Sequence, residues 1–289
     1  MTTELEDLIA KKFIARPDVK AKQNSRGFYT PVVRRVNDEV ERLPWERQDL
    51  TNHLAGVETF GHYLVNQENQ CKLFAFDVDL RKNEYDNNNR LTWTGSAPVP
   101  EWYGDKDKFT GQLIYFDPRE AWLDRAHPAR GWMKYQFRMV AHLLCAVIEK
   151  ELDIPCAAAY SGAKGIHVYG FTGLMSAADA REGAQIVLDA LAERPYCDGV
   201  ELWKGKHFYL FKNQDTIEGF PNLSIEVFPK QDSLDNKDLG NLMRLPLGRN
   251  LKSEDPTFFI DMTSELNALV PVDPIHALTS SSPFKMPGE

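Results

Sequence analysis

The chain has 289 residues, 43% of them hydrophobic and 26% charged, which is the composition of an ordinary globular protein with room for one large domain or two small ones. No apolar run approaches the roughly 20 residues that cross a bilayer, and the opening MTTELEDLIAKKF lacks the apolar core of a secretory signal, so the expected location is the cytosol with no membrane partner. A net charge of −8, from 34 basic and 42 acidic residues, excludes a uniformly basic nucleic-acid binder but leaves room for a local cationic groove.

Leu5, Leu8, Ile9 and Phe13 recur at helical spacing and predict an amphipathic helix that stops before Pro17. Lys11, Lys12, Lys20, Lys22, Arg26, Arg34 and Arg35 crowd the first 35 residues, either as a phosphate-binding surface or as a solvated one. ERQDLTNHLAG predicts a short helix ending at Gly56, followed by strands TFGHYLVN and CKLFAFDV. These two strands read as an antiparallel hairpin across the turn Gln67 to Gln70. Residues 81–111, rich in Asn, Gly, Pro and Asp, form a long connection of the kind that is often functional.

Trp132, Tyr135, Met139, Val140, Leu143, Leu144, Val147 and Ile148 make the strongest helical pattern, closing before Pro155. Strand CAAAY, a glycine-punctuated turn and strand GIHVYGF come next. Ser176, with Asp179 three residues on, resembles a capping box for a helix through Leu191. Strands near HFYLF, NLSIEVF and GNLMRLPL are expected to finish the core, and the stretch after Pro271 to be peripheral. Lys204, Lys206 and His207 form a second basic cluster. Cys71, Cys145, Cys156 and Cys197 are scattered without CxxC or Cys/His spacing, so neither disulfides nor structural zinc is expected. Strands and helices mix without regular βαβ alternation, which makes the class α+β.

Four constellations could carry chemistry. In CKLFAFDVDL a strand places Asp77 and Asp79 on one face and Phe74, Phe76, Val78 and Leu80 on the other. With their Cα atoms about 6.6 Å apart, the two carboxylates can reach one Mg²⁺ or Mn²⁺, or share two ions roughly 3.5–4 Å apart. The competing reading is a strand end running into the solvated loop RKNEYDNNNR. In AYSGAKGIHVYGF, Gly162 and Gly165 let the backbone approach a ligand, Ser161 adds a hydroxyl, Lys164 a cation and His167 a ring nitrogen. These are parts of a triphosphate clamp or of a plain hairpin turn; GxxxxGK[ST] is absent. Glu226 lies between Ile225 and Val227, where its charge must be paired, through Arg244 or Arg249, or bound to metal. Arg244 itself sits in an apolar strand as a phosphate contact or an internal ion pair.

Taken in order, the strand DxD, the SGxKGxH turn and the strand carboxylate resemble the catalytic core of the archaeo-eukaryotic primase superfamily, the primase-polymerases. SGAKGIHVY is similar to the polymerase domain of bacterial end-joining ligases. EVFPKQ and GNLMRLPLG, with HLAG and GHYLV upstream, resemble phage- and mobile-element-type members more, and the motifs span residues 53–250.

The resemblance implies an RRM-like antiparallel sheet as catalytic core with an N-terminal α/β portion packed beside it. It implies a catalytic domain over residues 1–270 and a peripheral tail over 271–289. Asp77, Asp79 and Glu226 would be catalytic and hold two ions, Mg²⁺ or Mn²⁺. Ser161, Gly162, Lys164, Gly165, His167 and Arg244 would bind the nucleotide. The implied activity is template-directed nucleotidyl transfer, as a DNA primase or DNA polymerase that extends a 3′-hydroxyl and releases pyrophosphate. Its partners would be a single-stranded DNA template, a primer and nucleoside triphosphates. A helicase or further C-terminal domain would join them if the chain is the catalytic portion of a longer protein, in a bacterial host's cytosol if phage-encoded. Two departures stand out: relatives often have aspartate at the third acidic position, and no Cys/His zinc element is spaced here. Readings from other classes are a non-catalytic single-strand or origin-binding module on a primase-like scaffold, and a metal-dependent nuclease.

Overall fold

A computed structural model describes residues 2–80, 84–85, 91–93, 97–98, 115–193, 200–203, 208–211, 223–235 and 237–280. In chain order these form α1 (Thr2–Phe13), β1 (Ala21–Gln23), β2 (Tyr29–Pro31), β3 (Val33–Val36), β4 (Glu39–Arg42), α2 (Arg47–Leu54), β5 (Phe60–Tyr63) and β6 (Gln70–Leu80). The short strands β7 (Glu84–Tyr85), β8 (Leu91–Trp93), β9 (Ala97–Pro98) and β10 (Tyr115–Phe116) follow; the rest of the 81–111 connection lies outside the described residues. Next come α3 (Pro118–Leu123), α4 (Arg130–Leu152), β11 (Cys156–Tyr160), β12 (Gly165–Ser176) and α5 (Ala177–Ala192). The chain continues with β13 (Val200–Trp203), β14 (Phe208–Phe211), β15 (Leu223–Phe228), β16 (Leu242–Arg244), β17 (Phe258–Phe259) and α6 (Pro274–Thr279).

The main sheet has the order β13-β14-β15-β6-β12-β11-β17 and is antiparallel throughout. Its centre, β15-β6-β12-β11, is a βαββαβ unit in which β6 leads through α4 to β11, and β12 through α5 to β15. This is the expected RRM-like α+β core. Phe74, Phe76, Val78 and Leu80 of β6 are buried, as the alternation predicts, on the face covered by α4 and α5. α4 is buried over most of its circumference because it lies on β11 and β12 with α3 and α5 packed against it, and it ends at the left-handed Asp153, two residues before Pro155. In α5 the residues Ala177, Ala180, Ala184, Val187, Leu188 and Leu191 form the buried stripe, and Ser176 Oγ accepts from the Asp179 amide at 3.0 Å.

A second sheet, β16-β5-β1-β2, carries the N-terminal portion. Here one expectation fails. β5 and β6 do not form a hairpin: β5 pairs with β1 and β16, and β6 with β12 and β15. The turn between them is tight, with the Asn66 amide on the Gln70 carbonyl at 2.8 Å, yet the strands leave it into different sheets. Alternation specifies a strand and its face, not its neighbour, and both edges of β6 are taken by longer pairings. GNLMRLPL likewise joins the second sheet through β16 rather than completing the main one. Gly61 makes that possible, since a Cβ there would lie 2.7 Å from Leu242. Phe13 of α1 wedges between the sheets, edge-on to Tyr169 at 5.0 Å and Phe171 at 5.3 Å.

Cys71, Cys145 and Cys156 are buried free thiols; Cys197 lies outside the described residues. Past Pro271, α6 places Leu278 in the core, 3% exposed. Among the described residues no helix is long and apolar enough to cross a membrane.

Beside and within the second sheet, His53 of α2 and His62 of β5 are buried histidines with a defined charge state. His53 Nδ1 accepts the Phe60 amide at 3.1 Å, so Nε2 carries the proton and donates to the Pro246 carbonyl at 3.0 Å. Burial lowers the pKa of His53 to about 4 and of the enclosed His62 to about 3, from 6.5. An unfolded chain takes up these protons below about pH 6.5 and the folded chain does not. Their contribution to stability is therefore complete above pH 6.5 and is lost as pH falls towards 4, at up to roughly 1.4 kcal/mol per pH unit for each histidine. Urea midpoints measured from pH 7.5 to 5 should fall, and His62→Phe should make the decline shallower; identical slopes would rule out a neutral His62.

Candidate active site

The polar face of β6 carries the acidic residues, and strand register assembles their neighbours. Glu226 of β15 lies directly across from Asp77, and His167 of β12 lies across from Asp77 on its other side. Directly paired residues share a face, so Glu226, Asp77 and His167 form one row over three strands. One step along, Ser224, Asp79 and Gly165 form a second. The side chains of Asp77, Asp79 and Glu226 are 25%, 34% and 17% exposed. Glu226 therefore faces the acidic row rather than the apolar interior. Burial, followed by the charges of Asp79 and Glu226, holds the Asp77 carboxyl well above the usual carboxylate range.

Each carboxylate meets its own nitrogen. Lys164 Nζ lies 3.6 Å from Asp79, His167 Nε2 lies 3.4 Å from Asp77, and Lys230 pairs with Glu226 four residues before it. The expected partners of Glu226 are otherwise engaged: Arg244 donates to the Ser161 carbonyl, and Arg249 pairs with Glu254 at 3.4 Å. Three carboxylates on adjacent strands are the hard oxygen donors that Mg²⁺ or Mn²⁺ takes. Among the described residues, however, no three His, Cys, Asp or Glu side chains close on a common point; the three acids are drawn towards their separate partners.

The turn between β11 and β12 is held by its carbonyls. Ser161 O accepts from Arg244 and from Asn250 at 3.4 Å, Gly162 O from Ser253, and Ala163 O from Trp122 Nε1 at 2.7 Å and Tyr160 Oη at 3.0 Å. With three successive carbonyls fixed from behind, the amides of Gly162, Ala163 and Lys164 donate to no protein acceptor among the described residues. Successive unclaimed amides in a turn are what an anion-binding nest requires. The two glycines serve packing: a Cβ on Gly162, at φ 73°, would lie 2.6 Å from Thr257, and one on Gly165 would lie 2.3 Å from Asp79 Oδ1. Gly165 thus lets Asp79 lie against β12. Ser161 is buried and Lys164 half-buried beside the acids.

His167 is neutral at physiological pH, since burial and the Arg244 charge lower its pKa to about 3. Its Nδ1 lies 2.9 Å from the Tyr169 hydroxyl. Burial raises the phenol's pKa, so Tyr169 stays protonated and can donate, which leaves the imidazole proton on Nε2 facing Asp77. Tyr169, Lys230, Trp122, Asn250 and Ser253 were missed in the sequence. Two of them had a usable signal: Tyr169 is two residues from His167 on one strand face, and Lys230 follows Glu226 by four.

The basic clusters fare differently. Lys20 pairs with Asp49 at 2.5 Å, Lys22 with Glu58, and Arg34 with Glu41 at 2.7 Å, while Lys12 lies over the Phe171 ring. Most of the N-terminal cations are therefore occupied. Lys204, Lys206 and His207 lie outside the described residues.

A family model described as the archaeo-eukaryotic primase domain of the TOTE conflict system matches residues 7–226 and 215–270. No curated protein matches the chain.

Tyr169→Phe removes the donor to His167 Nδ1 and leaves a buried acceptor unsatisfied, at a cost of about 1–3 kcal/mol. ¹⁵N NMR of the imidazole should show loss of the Nε2–H preference. Unchanged imidazole shifts would mean that Tyr169 does not set the tautomer.

Proposed function

The chain belongs to the archaeo-eukaryotic primase domain family of TOTE conflict systems, and from that premise we propose that it is a template-directed nucleotidyltransferase. It would extend a 3′-hydroxyl on a single-stranded template and release pyrophosphate. The primase-type nucleotidyltransferase fold is common to the family. The specific activity rests on one observation: the row Glu226, Asp77, His167 lies beside a turn whose amides are unclaimed.

Asp77, Asp79 and Glu226 would hold two divalent ions, Mg²⁺ or Mn²⁺, for which their donor chemistry and shared face are suited. When bound, the ions would lower the pKa of the attacking hydroxyl and offset charge on the α-phosphate and leaving group. Lys164 and Lys230 would release their carboxylates as the substrate enters. Lys164 would then turn to the β and γ phosphates, where the amides of Gly162, Ala163 and Lys164 supply further donors. Neutral His167, proton on Nε2, donates to a phosphate oxygen without adding charge. Arg244 keeps the turn in place through Ser161, and its charge bears on Asp77 and His167. Ser161 contributes its hydroxyl within this enclosure.

The test is incubation with labelled nucleotides, primed and unprimed single strands, and Mg²⁺ or Mn²⁺. Products longer than the input support transfer, shorter ones a nuclease, and none a binding module. Asp77→Ala or Asp79→Ala should abolish extension while leaving thermal stability equal or higher, because like-charge repulsion is relieved. Extension by the double alanine variant would refute the assignment. Lys164→Ala should raise the apparent KM for nucleotide roughly 10- to 100-fold, the loss expected for a charge-assisted phosphate contact. An unchanged KM would return Lys164 to a surface role.

A further inference from the structure

Behind the turn, on the helix side of the sheet, a cavity of about 650 Å³ opens between α3, the start of α4, the end of β11 and residues 253–258. Its lining includes Arg125, Arg130 and Lys134. Among the described lining residues the one carboxylate is Asp255, 3.9 Å from an Arg125 that is 86% exposed. In the N-terminal cluster, by contrast, close carboxylates pair with Lys20, Lys22 and Arg34. Arg130 is pre-positioned, donating to the Trp122 carbonyl with its guanidinium 5.5 Å from the centre of that indole ring. Burial and then Arg130 lower the pKa of the Lys134 amine, as expected where positive charges gather without an anion. Half-buried Tyr160 and Phe258, ring centres 5.3 Å apart, add an aromatic wall.

The cavity and the candidate active site share the turn between β11 and β12. Ala163 is part of its wall, and the next residue, Lys164, faces Asp79. Consecutive Cα atoms are about 3.8 Å apart, so the backbone of the turn joins the cavity wall to the acidic side of the sheet. Cations that follow a backbone and rings that take bases are the two elements of single-strand recognition. A free nucleotide already has a more complete phosphate cradle in the amides of the turn.

We propose that this cavity binds a single nucleic-acid strand, with phosphate between Arg125, Arg130 and Lys134 and a base against Tyr160 and Phe258. The ligand class deepens the nucleotidyl-transfer reading and rests on it for the role of the strand as template or primer. The cavity's affinity for a strand can be measured without catalysis.

The experiment is fluorescence anisotropy of a labelled oligothymidylate with the full chain, without metal or nucleotide. Arg125→Glu/Lys134→Glu should weaken binding at least tenfold. Arg125→Ala/Lys134→Ala should lower the slope of log K against log salt by about 1.4, the change expected when two phosphates of a single strand are no longer neutralised. Arg26→Glu/Arg35→Glu, at exposed positions of the N-terminal cluster, should change affinity less than threefold. Phe258→Leu, which keeps an apolar side chain but loses the ring face, should weaken binding roughly fivefold or more. Circular dichroism establishes that each variant is folded. Unchanged strand affinity in both Arg125/Lys134 variants overturns the proposal, as does loss of nucleoside triphosphate binding with strand binding retained. If the strand affinity depends on Arg125 and Lys134 but no nucleotide is ever incorporated, the cavity stands and the transfer reading falls. If nucleotides are incorporated and strand affinity ignores both residues, the cavity falls and the transfer reading stands.

Discussion

Strand β6 has to meet two opposed environments at once, and the rest of the molecule is arranged around that demand. One face is sealed beneath α4 and α5 by Phe74, Phe76, Val78 and Leu80, and the other holds Asp77 and Asp79 at partial exposure. Packing on the first face leaves the second no freedom to turn its carboxylates away, because in a strand the two are fixed at opposite sides. The like charge that results is not dispersed. Register adds Glu226 to it from the neighbouring strand, and the answering positive charge comes from Lys164, Lys230 and Arg244.

The second sheet serves that centre by fixing the turn. Gln23 of β1 and Asn250 share a hydrogen bond at 3.3 Å, the Leu251 amide donates to Gln23 at 2.9 Å, and Asn250 in turn donates to Ser161 O. β16, seated against Gly61, delivers Arg244 to the same carbonyl. The segment after β16 adds Ser253 to the next carbonyl, and α3 adds Trp122 to the third. Residues scattered from position 23 to position 253 thus converge on three peptide groups. Holding carbonyls rather than amides matters, because it leaves the donors for a ligand and commits protein partners only to the acceptors.

How far this was legible in the sequence follows from what each pattern encodes. Period-two alternation identified β6, its apolar face and the common direction of Asp77 and Asp79, because burial acts on single side chains. The βαββαβ order of the core could be inferred only through the resemblance carried by DVD, SGAKGIH and Glu226. Strand partnership was not legible: the turn after β5 suggested a hairpin, while the neighbours of β5 and β6 come from residues far along the chain. The glycines were legible as special through the close approach they allow a ligand, but not their packing need, which arises from Thr257 and Asp79, residues that only the fold brings near. For Glu226 the residue pattern pointed to Arg244, Arg249 or metal, and local geometry supplies Lys230 as its ion-pair partner.

On the proposed reading, the charge balance at the site would let so acidic a chain approach phosphates. A net charge of −8 repels a polyanion at long range, but that field is damped within about 8–10 Å at physiological salt. Inside that distance only local groups count, and there the distribution is segregated: acids on the polar face of the sheet's centre, and Arg125, Arg130 and Lys134 behind the turn at its edge. Separating them by the thickness of one sheet keeps each sign strong where it stands. The turn at residues 161–164, touching both, is where the two fields meet.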